Sequence, residues 1–118
     1  MAPEKLGRKA RAALSTPGNE IFVSAVTFWE LSLKQSLGKL ILEGISSEEL
    51  PEAAEEAGFI LLPLDPRHAA EYHRLPKLGH KDPFDRMLVW QAIRTGATLL
   101  SKDPEIKAYS DHGLKLMW

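Results

Sequence analysis

Four short and mostly apolar segments recur along this chain, each bounded by turn or capping residues. Their length and their content of β-branched and aromatic residues are typical of buried strands. In chain order they are IFVS (21–24), FILL (59–62), TLLS (98–101) and LKLMW (114–118). Because buried apolar runs of this kind are characteristic of parallel sheets, the pattern favours a parallel sheet covered on both faces.

Segments with helical signals separate these strands. Ser24 is placed to cap the helix that follows the first strand, and Ser46 with Glu49 has the spacing of a capping box, although Pro51 is placed to split off the first turn there. Asp82-Pro83 combines a cap with proline at the first helical position. The predicted helices span about 3–15, 25–37, 46–57, 66–74 and 83–95. Strands that alternate with helices predict an α/β fold, and we expect residues 1–118 to form a single domain.

Composition narrows the class of protein. The 118 residues include no cysteine, which excludes disulfides, thiolate metal sites and a cysteine nucleophile. No apolar run approaches the roughly 20 residues that span a bilayer, so we expect a cytoplasmic protein without a membrane partner. The formal net charge is −1, so a polyanion would have to bind through a local patch.

Acidic residues are the candidates for chemistry. Asp82 is explained as a helix cap, whereas Asp85 lies in the first turn, where a carboxylate is favourable but seldom required. Glu30 lies among apolar neighbours in the helix after IFVS, and Asp103 follows TLLS in the sequence SKDP. For Asp103 the structural alternative is a cap before Pro104.

In open α/β sheets, ligands bind beyond the carboxyl ends of the strands. Asp103 is predicted to lie at that edge, and short connections would bring Glu30 there, while the place of Asp85 is left open by spacing alone. Converging carboxylates repel one another unless a hard cation such as Mg²⁺ or Mn²⁺ neutralises them. The acids therefore favour a metal-dependent phosphodiesterase, and a small phosphatase or a DNA nuclease is an alternative.

Several segments, in this order and spacing, resemble the PIN domain, and more closely the VapC-type toxins of toxin–antitoxin pairs. They are EIFVSAVTFWELSLKQSLGKL, AGFILLPL, HKDPFDRMLVWQA and ATLLSKD. The combination of WE, DPFDR and SKD carries the resemblance, which extends from about Pro3 to the C-terminus.

The resemblance implies an α/β/α sandwich and a Mg²⁺- or Mn²⁺-dependent endoribonuclease that pairs with an antitoxin. The family's acids carry over to Glu30, Asp85 and Asp103 as catalytic metal ligands. Asp82 matches a recurrent position and is interpreted as a cap first and a metal ligand second.

One element of the family pattern has no counterpart here. The family begins with a central strand that ends in an aspartate, whereas this sequence starts at MAPEKLGRKARAAL, which corresponds to the segment after that strand. Without this aspartate we expect weaker metal binding and turnover. Loss of a central strand leaves unpaired strand edges, so we expect either that IFVS and TLLS pair directly or that a second copy supplies an edge in a homodimer.

Basic residues near the acids are candidates for RNA binding through phosphates. They are Lys34, Lys77, Lys81 and Arg86, with an ordinary solvated surface as the alternative. A second hypothesis for the whole chain is a catalytically impaired PIN fragment that serves only as an antitoxin-binding or self-association module.

Overall fold

The computed structural model describes residues 7–79 and 81–118, and helices and short strands alternate along it. The α-helices are α1 (Arg8–Ser15), α2 (Ala25–Ser36), α3 (Leu50–Glu56), α4 (Pro66–Ala70) and α5 (Pro83–Thr95). The strands are β1 (Phe22–Ser24), β2 (Ile60–Leu62), β3 (Thr98–Leu100) and β4 (Lys115–Met117). Segments of 3₁₀ helix cover Ser47–Glu49, Tyr72–Arg74 and Pro104–His112.

The strands form two parallel pairs. Strand β1 pairs with β2 in the register Val23 to Leu61, and β3 pairs with β4 in the register Leu99 to Leu116. The predicted strands, their parallel arrangement and the mixed α/β class are confirmed. Strands β1 and β3 belong to different sheets in the described part of the chain. The prediction that IFVS and TLLS pair directly is therefore wrong, and an edge supplied by a second copy stays a prediction.

The described residues fall into two compact units. The larger contains the described residues up to Asn19 together with Pro66–Trp118, and the smaller is Glu20–Asp65. Each unit contains one of the two parallel strand pairs. That residues 1–118 form a single domain stays a prediction.

Helix α5 supplies much of the core of the larger unit. Its residues Val89 and Trp90 are buried, and the Trp90 indole nitrogen donates to the carbonyl of His68 at 2.8 Å. Burial of this ring therefore leaves its polar group satisfied. The buried core cluster comprises Leu75, Val89, Trp90, Ala92, Ile106, Tyr109 and Leu114.

The smaller unit is organised by two caps that the sequence predicts. The Ser24 hydroxyl accepts from the Val26 amide at 3.0 Å and begins α2. The capping box is present, since the Ser46 amide donates to the Glu49 carboxylate at 3.1 Å. The next amide, of Ser47, donates to the side chain of Gln35 at 3.1 Å, which connects the end of α2 to the following 3₁₀ turn.

Two helical predictions need revision. The helix predicted over 66–74 ends at Ala70 and is followed by a separate 3₁₀ turn. No helix is predicted over 104–112, yet the structure has a 3₁₀ segment at Pro104–His112 that buries Ile106 and Tyr109 in the core. None of the helices in the described ranges has the length and apolar character that crossing a membrane requires.

Candidate functional site

The start of α5 contains both aspartates of DPFDR. Asp82 is the N-cap: its Oδ1 accepts from the amides of Phe84 at 2.9 Å and Asp85 at 3.3 Å, and Pro83 occupies the first helical turn. The predicted cap is therefore confirmed. Oδ1 accepts both of these hydrogen bonds, so Oδ2 takes no part in capping. Asp85 lies half-buried in the first turn, where the helix dipole favours a carboxylate.

Arg86, the last residue of DPFDR, points into the core and is only 7% exposed. Its Nε donates to the Tyr72 hydroxyl at 2.9 Å, and its Nη1 donates to the Tyr109 hydroxyl at 2.8 Å. The backbone carbonyls of Pro76 and Leu75 accept from Nη1 and Nη2 at 3.1 and 3.2 Å. This placement corrects the prediction that Arg86 contacts RNA, because the guanidinium is buried and all three nitrogens donate to protein oxygens.

Asp103 follows β3 and begins the 3₁₀ helix at Pro104–His112. Its Oδ1 accepts from the Glu105 amide at 3.0 Å, and its own amide donates to the Ser101 hydroxyl at 3.2 Å. The structural alternative for this residue, a cap before Pro104, is confirmed. As in Asp82, the recorded bond occupies one carboxylate oxygen, so a metal role for Asp103 does not conflict with the cap.

Glu30 lies on α2 in the smaller unit. Its Oε2 is 2.7 Å from the Nζ of Lys34 one turn later, and the glutamate side chain is 16% exposed while that of the lysine is 47% exposed. A metal ion at Glu30 would compete with this ion pair. The RNA contact predicted for Lys34 likewise requires an ammonium group that already has a carboxylate neighbour, and both roles stay predictions.

Lys77 and Lys81 are exposed residues of the larger unit, on the segment that leads into α5. Their side chains are accessible to a phosphate, so the predicted RNA contacts remain open to test. His80, which the sequence places in the same loop, lies outside the described residues.

The predicted acids offer the right donors for a hard cation, since carboxylate oxygens are preferred ligands of Mg²⁺ and Mn²⁺. The three aspartates belong to the larger unit and Glu30 to the smaller. Within residues 7–79 and 81–118, no group of three or more His, Cys, Asp or Glu side chains is arranged to hold a metal ion. The metal roles of Glu30, Asp82, Asp85 and Asp103 therefore stay predictions.

Two tyrosines that support this region were not identified from the sequence. The hydroxyls of Tyr72 and Tyr109 both accept from Arg86, and the Tyr109 hydroxyl also donates to the Pro76 carbonyl at 3.1 Å. A signal did exist for Tyr109: it follows Ile106 by three residues, and side chains at that spacing share one side of a 3₁₀ helix.

The fold and these residues define the class of protein: an α/β chain with short parallel strands and aspartates at the starts of α5 and of the 3₁₀ helix after β3. The family model described as the PIN domain matches residues 1–111. The chain belongs to the PIN domain family, which confirms the resemblance predicted from WE, DPFDR and SKD at the level of the family. PIN domains are generally metal-dependent nucleases and typically bind divalent metals. A search of curated proteins found no match to this chain.

Proposed function

We propose that this chain is an endoribonuclease that uses Mg²⁺ or Mn²⁺, of the toxin type that pairs with an antitoxin protein in the cytoplasm. The observation that carries the proposal is the PIN match over residues 1–111, which contains all three acidic motifs. Family membership supports nuclease chemistry, and the acids Glu30, Asp85 and Asp103 are its proposed centre.

In this proposal the three carboxylates hold the metal ion and the second oxygen of Asp82 assists, directly or through water. When bound, such an ion lowers the pKa of its water and stabilises charge on a phosphoryl group. The protein positions Asp85 through two contacts. The cap at Asp82 fixes the first turn of α5, and Arg86 anchors the same turn to the core. The exposed ammonium groups of Lys77 and Lys81 hold RNA phosphates.

The test is cleavage of a labelled single-stranded RNA with Mn²⁺ and with excess EDTA. We expect cleavage only with metal, and a loss of roughly 100-fold or more in Asp85→Asn, equivalent to about 2.7 kcal/mol of transition-state stabilisation. Asp111→Asn is the matched control, since Asp111 is an exposed acid of the same unit. Equal activity in Asp85→Asn and the control would refute the assignment of Asp85.

A second candidate function is a non-catalytic association module that binds an antitoxin or a second copy of the chain. Large apolar side chains on and just after α2 favour it: Trp29, Leu37 and Ile41 are 61%, 58% and 85% exposed. Exposed apolar side chains grouped in one region are characteristic of surfaces that contact other proteins.

Metal-dependent stability separates the two candidates. A ligand that binds only the folded protein stabilises it by about 2.7 kcal/mol at a hundredfold excess over its Kd. The nuclease is therefore expected to melt at a higher temperature in Mn²⁺ than in EDTA, and Asp85→Asn is expected to lose most of this increase. A wild-type melting temperature that Mn²⁺ leaves unchanged, together with absent cleavage, would favour the association module.

A further inference from the structure

A cleft lies at the carboxyl ends of β3 and β4 in the larger unit. The two strands run in parallel, and the Ser101 amide donates to the Met117 carbonyl at 3.1 Å, so the residues that follow both strands meet at one edge. The cleft has a volume of about 360 Å³. Its lining residues are Lys9, Ser101, Lys102, Lys107, Leu116, Met117 and Trp118. This edge of a parallel sheet is where α/β proteins bind their ligands.

Helix α1 brings one of the lysines to this edge. The amides of Lys9 and Ala10 donate to the Trp118 carbonyl at 3.0 and 3.2 Å, so the first turn of α1 rests on the end of the chain after β4. Gly7 permits the approach, because a Cβ there would clash with the backbone carbonyl carbon of Trp118. The position of Lys9 is thus fixed by backbone contacts rather than by its flexible side chain.

The side chains that line the cleft carry positive charge. Three of them are exposed lysines, and none of the lining side chains is acidic. In the described part of the chain, no salt bridge joins a carboxylate to any of the three ammonium groups. The nearest acid along the chain, Asp103, has one oxygen occupied by the Glu105 amide. Lysines held around one concave surface repel one another, and a bound anion relieves that repulsion.

The lining residues indicate which class of anion the cleft binds. Ammonium groups bind phosphate as point charges, and the Ser101 hydroxyl adds a hydrogen-bond donor. The wall also contains the half-buried indole of Trp118, and aromatic rings of this kind stack with bases of single-stranded nucleic acid. Asp103, a proposed metal ligand, directly follows Lys102 in the chain.

We propose that Lys9, Lys102 and Lys107 form a phosphate-binding cleft for the backbone of single-stranded RNA. This site deepens the proposed nuclease function, on which it rests, and it differs from the surface of Lys77 and Lys81 that the sequence predicts. The cleft holds the strand next to Asp103 and supplies affinity without reading sequence, as contacts to phosphate do.

The test is fluorescence anisotropy of a labelled single-stranded RNA, measured with EDTA so that binding is separated from cleavage. Three phosphate contacts to a single strand give a slope of about 2 in log Kd against log salt, so affinity falls roughly twenty-fold between about 50 and 200 mM salt. In the double variant Lys102→Gln with Lys107→Gln, we expect the slope to fall by about 1.4. The substituted residues are exposed, so folding is expected to be retained and is checked by circular dichroism.

Lys115→Gln is the matched control, because Lys115 is an exposed lysine on β4 that does not line the cleft. The proposal would be overturned if the Lys102→Gln, Lys107→Gln variant kept the wild-type affinity and the wild-type slope of log Kd against log salt. It would also be overturned if binding were lost only in the Lys77→Gln, Lys81→Gln variant. Absence of RNA binding by the wild-type chain would overturn it as well. RNA binding that depends on the cleft lysines, without cleavage in Mn²⁺, would instead sustain the cleft and refute the nuclease.

Discussion

Replacing Arg86 with methionine is expected to destabilise the larger unit substantially. The change removes four hydrogen bonds that the buried guanidinium donates to protein oxygens. The Pro76 carbonyl retains the Tyr109 hydroxyl as a donor, whereas the Leu75 carbonyl loses the donor recorded for it and Tyr72 loses a cationic neighbour 5.4 Å from its ring.

The magnitude follows from these losses. A buried carbonyl without a donor costs about 1–3 kcal/mol, and each hydrogen bond to a charged group contributes about 1.5–3 kcal/mol. Release of the buried charge offsets part of this sum, since apolar replacements of buried ions are sometimes neutral. The stabilisation gained by removing the buried charge is limited here, because two of the acceptors are backbone carbonyls that the substitution leaves in place. We expect a net loss of about 2–4 kcal/mol, which lowers Tm by roughly 10 °C in a chain of this size.

The assay is urea unfolding followed by tryptophan emission, since buried Trp90 in the same unit reports on its unfolding. Arg74→Met is the matched control: the Arg74 side chain is 61% exposed and pairs with Glu71 at 3.2 Å. Exposed pairs of this kind contribute about 0–1 kcal/mol. If Arg86→Met were no less stable than Arg74→Met, the guanidinium would not be holding the segment at Leu75 and Pro76 to the core.

Two further predictions concern residues with a defined structural role. Asp82→Ala is expected to cost about 1 kcal/mol in urea unfolding because it removes the acceptor of two first-turn amides, whereas Asp82→Asn retains a cap and is expected to remain near wild type; equal losses in both would contradict the capping role. Gly7→Ala is expected to lower the thermal midpoint because its Cβ would lie 2.5 Å from both the carbonyl oxygen and the Cδ1 of Trp118. A Gly7→Ala protein that melts at the wild-type temperature would show that α1 does not rest on the chain end in solution.

Local features of this fold were predictable because their causes are local. Ser24 and Asp82 each supply an oxygen to an amide two residues later, a bond that depends only on adjacent sequence. The left-handed conformation at Gly96, with φ of 77°, likewise ends α5 where the sequence indicates. Strand positions were recoverable for the same reason, since each is a short apolar run.

Features that depend on distant residues were not recoverable. The guanidinium of Arg86 is buried only because Tyr72 and Tyr109, which are 14 and 23 residues away along the chain, offer their hydroxyls. An arginine beside two aspartates is ordinarily expected at the surface, so its position near the candidate acids suggested RNA binding. The predicted pairing of IFVS with TLLS was wrong for a similar reason, since a short apolar run does not specify which other strand it pairs with. The cleft lysines Lys9 and Lys107 meet only through the pairing of β3 with β4 and the docking of α1.

Asp82 and Asp103 each combine a structural role as a helix cap with a proposed role as a metal ligand. Each uses Oδ1 for the amides of the turn that it begins. A carboxylate has a second oxygen with its own lone pairs, so capping does not compete with metal binding and instead fixes where that oxygen lies. An asparagine at either position can keep the cap but lacks the charge that a divalent ion requires. Stability and metal-dependent activity should therefore separate in Asp82→Asn, and this separation distinguishes an aspartate kept for folding from one kept for catalysis.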